Sequence, residues 1–394
     1  MSMDVAQSVG LAPCPLDGWL AAQCGATSSH DLPGCLAQAR LARLRETLLR
    51  AAHGFFYATR LQCCNLDLAR VEDLESLPFT TAEDLSNWGD FLCVSQGDVQ
   101  RMVTLHTSGT TGQPKRLAFT DADLARTRDF FAVGMSQLVR AGQRLAVLLP
   151  GAERPDGVAD LLRQALGGVG VDVVAPPSDI HKASEAGSAA NSQVAGQARG
   201  PEVFCQSGGQ PGAALACWLS EVAPHCLVAA PAQLAMLLAH FPRCAPRNLA
   251  GVLSSAEPLD AELGQNLRRV WQCEVLDHYG LTETAYGCAV ECPRHDGFHI
   301  RELDVLIEIV DISGSKVLPL GQAGEVVITT LQREAMPLVR YRTGDVARLL
   351  PGPCACGSPL RRLGPVLGRI ERRAGCCPRI VCPPKGKGWQ APCL

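Results

Sequence analysis

Residues 104–116, Thr-Leu-His-Thr-Ser-Gly-Thr-Thr-Gly-Gln-Pro-Lys-Arg, concentrate hydroxyls, two glycines and a lysine in one short stretch after an apolar run. That is chemistry suited to a polyphosphate. Gly109 and Gly112 can take backbone angles that bring N–H groups up to anionic oxygens. Thr107, Ser108, Thr110 and Thr111 add hydroxyl donors, and Lys115 adds a mobile positive charge. The stretch is not a Walker A loop, which needs Gly-Lys followed by Ser or Thr; here Pro114 precedes Lys115 and Arg116 follows it. A surface turn rich in Thr and Gly is the plainer alternative.

Other residues could join this chemistry. Residues 278–283 read His-Tyr-Gly-Leu-Thr-Glu, 341–348 read Tyr-Arg-Thr-Gly-Asp-Val-Ala-Arg, and 367–371 read Leu-Gly-Arg-Ile-Glu. Glu283 is a hard oxygen donor suited to a cation that keeps waters and phosphates, or else a solvated carboxylate at a helix start. Asp345 can accept two hydrogen bonds from a diol, or sit as a turn aspartate after glycine. Tyr279 could stack on a ring or pack in the core. Cys354-x-Cys356-Gly is a tight thiolate pair on a Pro/Gly-rich stretch, and Cys292 is followed by His295 and His299. Structural zinc takes four such ligands, so these residues are candidates for one site; two free turn cysteines are the alternative. His299 lies on an alternating stretch where a packed histidine is also natural, leaving His295 as the other candidate.

The elements that must position these groups follow from patterning. Leu36, Leu41, Leu44, Leu48, Ala52 and Phe55 recur at helical spacing, predicting an amphipathic helix over 36–61. Residues 102–107 read as a strand entering the Gly/Thr stretch, and Thr120 and Asp123 as a helix start. Strand-like runs at Arg144–Leu149, Val169–Val174, Leu227–Ala230, Val252–Ser254 and Glu274–Leu276 then alternate with helical runs at Gly157–Leu166, Ala232–His240 and Asp260–Trp271. Such alternation predicts an α/β fold with a mainly parallel sheet flanked by helices. From Gly297 the pattern changes: His299–Val310 and Glu325–Leu331 alternate, predicting a smaller antiparallel β subdomain. The expected organisation is a loose lead-in over 1–35, an α/β nucleotide- and substrate-binding domain over 36–296, the antiparallel subdomain over 297–368, and a hinge remnant with an unpatterned tail over 369–394. Residues 183–212, rich in Ala, Ser, Gly and Gln, read as a loosely packed insertion.

Composition sets outer bounds. The chain has 394 residues, 47% hydrophobic and 19% charged, enough for a large core. A net charge of −3 gives no sign of a nucleic-acid or membrane-surface partner. The sequence has no apolar run of membrane-spanning length, so a cytoplasmic protein is expected. Nineteen cysteines without a secretion signal read mostly as small buried hydrophobes rather than a disulfide framework.

Taken in order, the four stretches resemble the AMP-forming adenylate-forming superfamily of acyl- and aryl-CoA synthetases. Ser-Ser-Ala-Glu-Pro-Leu at 254–259, Met-Pro-Leu-Val-Arg-Tyr-Arg-Thr-Gly-Asp at 336–345 and Cys-Ala-Cys-Gly at 354–357 are similar to its phenylacetate–CoA ligase branch. The resemblance covers about 70–370 and implies ATP-Mg²⁺ activation of an organic, aromatic carboxylate to an acyl-adenylate. CoA or an acyl-carrier protein stay open as acceptors. It implies that Thr107, Ser108, Gly109, Thr110, Thr111, Gly112 and Lys115 hold phosphates, that Ala256, Glu257, Pro258 and Tyr279 lie at the adenine, and that His278 and Gly280 belong to the nucleotide site. Thr282 would meet the α-phosphate, Glu283 Mg²⁺, Asp345 the ribose, and Arg369 the nucleotide. Relatives also suggest a zinc ion on Cys292, His299 (or His295), Cys354 and Cys356. The superfamily's usual C-terminal domain, with its lysine near the reacting carboxylate, is not expected in the short stretch that follows Arg369. A degenerate nucleotide-binding protein, or a subunit whose partner supplies that lysine, are therefore the competing expectations.

Overall fold

The computed structural model describes residues 14–105, 115–149, 151–152, 157–180, 212–372 and 378–381. Contacts divide these residues into two compact units. One takes the described residues up to Phe130 and those from Gly280 onward; the other is Phe131–Tyr279. The two units divide at Phe130/Phe131 and again at Tyr279/Gly280.

The second unit is the α/β part. Its strands β3 (Arg144–Val147), β4 (Asp172–Val174), β5 (Cys226–Ala229), β6 (Gly251–Ser254) and β7 (Glu274–Tyr279) lie in the order β7-β6-β5-β3-β4. Every pairing is parallel. The central strand Cys-Leu-Val-Ala is buried at all four positions, as a strand covered on both faces must be. Helices Ala213–Val222, Pro231–His240 and Ala261–Trp271 pack Leu215, Leu219, Leu234, Leu237, Leu267 and Trp271 onto Leu227, Val252 and Val275. The last helix starts at Asp260, whose Oδ1 accepts from the amides of Glu262 and Leu263 at 2.9 and 3.1 Å. Arg268 and Arg269 oppose the dipole at its other end. Strand and helix expectations in this unit hold to within a few residues. The 183–212 stretch lies, apart from Gly212, outside the described residues.

The first unit is built from antiparallel ladders. Strands β1 (Arg101–Leu105) and β2 (Lys115–Phe119) form a hairpin. The Gly/Thr stretch thus joins two paired strands, and Lys115 opens the second. Strands β8 (Ala289–Glu291), β9 (Phe298–Ile300), β13 (Leu349–Leu350) and β14 (Arg362–Leu363) pair in the order β13-β14-β9-β8. Strands β10 (Val305–Val310), β11 (Gly324–Thr330), β12 (Tyr341–Ala347), β15 (Gly368–Glu371) and β16 (Arg379–Val381) form a five-stranded sheet in that order. The expected strand His299–Val310 is two strands in different ladders, because residues 301–304 turn, with Asp304 N–H donating to Arg301 O at 2.9 Å. Alternation persisted through that turn and concealed it.

Two further expectations are corrected. The lead-in is not loose where it is described: Pro15–Cys24 is a helix with Leu16, Asp17 and Leu20 buried. Its turn-rich composition hid a proline at the first helical position, where a missing N–H is harmless. The helix foreseen over 36–61 is Leu32–Ala51 followed by Phe55–Arg60, broken before Gly54. In the tail, Arg379–Val381 pairs with β15; the rest of 373–394, apart from Pro378, lies outside the described residues. Among the described residues, no helix is long and apolar enough to cross a membrane.

Candidate active site and metal centre

Lys115, Glu283 and Tyr341 come from three distant stretches and meet in the first unit. The Tyr341 hydroxyl donates to Glu283 Oε1 at 2.8 Å, and Lys115 Nζ donates to the same hydroxyl at 3.3 Å. Lys115 Nζ is 3.9 Å from Glu283 Oε1. Burial, then the charge of Glu283, pushes the Tyr341 phenol far above its ordinary range, so it remains a donor to the carboxylate. Among the described residues, Glu283 Oε2 has no hydrogen-bond partner, and the side chain keeps 10% exposure. A hard carboxylate oxygen that is fixed but still reachable fits a hydrated Mg²⁺.

The backbone around Glu283 is tightly determined. A Cβ on Gly280 would lie 2.2 Å from Tyr286 O, so only glycine fits. Thr282–Thr284 form a single 3₁₀ turn, and Ala285 and Tyr286 follow it with φ of 54° and 68°. Such positive φ at non-glycine residues costs about 1–3 kcal/mol each and persists only where surroundings enforce it. Here two buried arginines do so. Arg301 donates to Thr284 O at 2.5 Å and Arg333 to Glu283 O at 3.5 Å. Their guanidinium groups lie over Phe130 and Phe119. Neither arginine was singled out from sequence, since nothing local links them to the turn.

The Tyr-Arg-Thr-Gly-Asp run is a bulge in the β11–β12 ladder. Arg342 faces Val327 and Val346 faces Glu325, so three residues, 343–345, oppose Val326 alone. Each residue type has a task there. Thr343 hydroxyl donates to Val326 O at 2.8 Å and accepts from Asp345 N–H at 3.0 Å, replacing lost ladder bonds. Gly344 takes φ 79° and donates its N–H to Glu325 Oε1. Glu325, wholly buried, is also bound by Arg342 and Arg372. The bulge leaves Asp345 facing Arg369, whose Nε is 3.0 Å from Asp345 Oδ1. The Arg369 side chain is 69% exposed and that of Asp345 8%, so the guanidinium is the member of the pair that solvent reaches.

The second unit carries the other expected nucleotide residues. His278 Nε2 lies 3.0 Å from Ser255 Oγ, and burial pushes its pKa down to about 4, so the ring is neutral. Tyr279 is 6% exposed and packed. Ala256, with φ 74°, and Glu257 and Pro258 form an exposed bend after β6. Thr107, Ser108, Gly109, Thr110, Thr111 and Gly112 lie outside the described residues.

The metal candidates converge. One ligand atom each from Cys292, His299, Cys354 and Cys356 lie within 4.8 Å of one another. Cys292 Sγ to Cys354 Sγ is 3.7 Å, and Cys356 Sγ to His299 Nε2 is 3.6 Å. Tetrahedral zinc with Zn–S of about 2.3 Å and Zn–N of about 2.0 Å needs edges of roughly 3.5–3.8 Å, so the donor set fits that ion. Burial holds His299 neutral, with its pKa pushed down to about 4, as a ligand requires. His295 is not in the cluster; its Nδ1 lies 3.3 Å from Glu291. The N-terminal helix braces the cysteine loop, with Ser358 hydroxyl donating to Asp17 at 2.5 Å.

Residues 198–332 match the AMP-binding enzyme family. The phenylacetate–coenzyme A ligase of Pseudomonas putida is 32% identical over 360 residues, 88% of this chain and 72% of that protein. The chain belongs to the phenylacetate–coenzyme A ligase family. Its members are AMP-forming acid–thiol ligases. The enzymes of the same name from Thermus thermophilus and Escherichia coli are 30% and 27% identical. The chain spans 62% and 63% of the length of those two. A 2-hydroxyisobutyryl-CoA ligase solved with its acyl-AMP and CoA superposes with a TM-score of 0.66 at 19% identity, over 86% of this chain and 72% of that one. That likeness establishes the adenylate-forming ligase fold.

Proposed function

We propose that the chain activates an organic, aromatic carboxylate with ATP and Mg²⁺ and passes the acyl group to CoA. The substrate carboxylate oxygen attacks the α-phosphorus, the bond to the β-phosphate oxygen breaks, and pyrophosphate leaves. A thiol then displaces AMP from the acyl carbon. The observation carrying this reading is the meeting of Lys115, Tyr341 and Glu283, from stretches separated by as many as 226 residues. Lys115 stands where the Gly/Thr stretch re-enters the sheet and would draw the leaving phosphates. Glu283 would hold Mg²⁺, which neutralises phosphate charge when bound. Thr282 would meet the α-phosphate, and Asp345 the ribose diol. Most of the catalysis is positioning and charge neutralisation. Phenylacetate is the first acid to test, because the relatives carry its name.

Cys292, His299, Cys354 and Cys356 would hold a structural zinc. Four protein ligands leave no open position, so the ion serves folding rather than chemistry. Purified protein should exchange labelled pyrophosphate into ATP when phenylacetate is added. Nucleotide binding without acid-dependent exchange would sink the enzymatic reading in favour of a binding protein.

A further inference from the structure

Tyr341 touches both charged groups of the proposed phosphate–metal site, and no motif reading assigns it a task. It is 2% exposed and held on both sides. On one side it pairs with Ile328 of β11; on the other Thr80 bridges it, with Arg342 N–H donating to Thr80 O at 2.9 Å. Thr80 hydroxyl is in turn bonded to Tyr57 hydroxyl at 2.7 Å, and Tyr57 accepts from Val339 N–H. The phenol therefore reaches Glu283 from a backbone that cannot drift. Its hydroxyl has one proton, given to Glu283 Oε1, and a lone pair that takes Lys115.

Resting on the nucleotide reading above, we propose that Tyr341 is a positioning residue that fixes Glu283 for the divalent cation and parks Lys115 there until Mg²⁺-nucleotide arrives. With Oε1 engaged by Tyr341, the carboxylate cannot rotate, and Oε2 is the oxygen left for a cation. Without a divalent ion the nearest positive charge is the Lys115 ammonium, 3.9 Å from Oε1. An incoming divalent ion repels that ammonium, and the phosphates offer it a new partner. The exchange keeps the buried carboxylate paired throughout, since an unpaired one would be costly.

The test uses Mn²⁺ in place of Mg²⁺ and α,β-methylene-ATP in place of ATP, with bound Mn²⁺ read by electron paramagnetic resonance. Tyr341→Phe should weaken Mn²⁺ binding in the presence of the analogue about tenfold, the usual effect of losing one hydrogen bond to a charged group. Without nucleotide, Lys115→Met should tighten Mn²⁺ binding several-fold, as the parked cation is gone. Ile328→Ala, which loosens the same strand pair without touching the site, controls for destabilisation and should leave Mn²⁺ affinity within twofold. Equal Mn²⁺ affinity in wild type and Tyr341→Phe overturns the positioning role alone. Equal loss in Ile328→Ala also overturns it, by making the effect merely structural. Wild-type protein that takes up no Mn²⁺ with the analogue overturns the assignment of Glu283 and this inference with it.

Discussion

The cysteine–histidine cluster and the Glu283 site lie in the same unit but are finished to different degrees. The cluster brings four donors within 4.8 Å of one another by itself, largely buried and braced by the N-terminal helix. The Glu283 site fixes one carboxylate oxygen on Tyr341, leaves the other reachable, and keeps the Lys115 ammonium 3.9 Å from the fixed oxygen. A site that only holds structure can be closed in advance. One that must admit and release a charged substrate has to remain short of ligands, with the deficit covered by groups able to move.

Substitutions should separate the two. The largest effect is expected for Glu283→Gln, which should lower acid-dependent pyrophosphate exchange about a hundredfold or more while leaving the melting temperature almost unchanged. A comparable rate at limiting Mg²⁺ would remove Glu283 from the metal. Cys356→Ser should do the reverse. Zinc content measured by mass spectrometry should fall from one per chain, and stability should drop by about 3 kcal/mol. In a chain this long that lowers the melting temperature by roughly 4 °C. Folded wild-type protein prepared without chelator but carrying no zinc would reduce the cluster to ordinary thiols.

Asp345→Ala comes next, weakening ATP binding about tenfold through lost charge-assisted hydrogen bonds. Binding of 2′,3′-dideoxy-ATP should change much less, and equal losses for both nucleotides would contradict a ribose role. The smallest effect is expected at Asp17. Burial lifts its pKa from 3.8 to about 6, against the Ser358 hydrogen bond, which lowers it. The folded state then binds more protons than the unfolded state between about pH 4 and 6, so this group's contribution to stability falls as pH rises through that window. Asp17→Asn should remove that slope and raise stability near pH 7 by about 1 kcal/mol, read as the difference from wild type in urea titrations at pH 4.5 and 7. An unchanged difference between the two pH values would show that Asp17 is ionised normally.

The chemistry-bearing types were legible because each sits in a run whose local pattern is itself constrained. Gly280 must be glycine to pass Tyr286, and Thr343 and Gly344 must build a bulge before Asp345 can sit opposite Arg369. The parallel sheet was legible because alternating strands and helices leave a periodic trace. Tyr341's task, the two arginines under the Glu283 turn and Glu325 behind the bulge were not. Each acts on a residue at least 17 positions away, and a side-chain bond across 17, 50 or 58 residues leaves no periodicity to read. The separation of Phe298–Ile300 from Val305–Val310 was missed for a related reason. Both strands alternate, and only the third dimension assigns them to different ladders.

The β11–β12 bulge carries a consequence of parity. It adds two residues to one strand, and two is the period of a strand, so the side chains beyond it return to the faces they held before. A one-residue insertion would turn the core-facing set outward. The even insertion leaves the alternation of the flanking residues unchanged. The bulge that holds Asp345 is thus neutral in register: removing Gly344 and Asp345 together should yield a sheet that still folds, without the carboxylate proposed to hold the ribose.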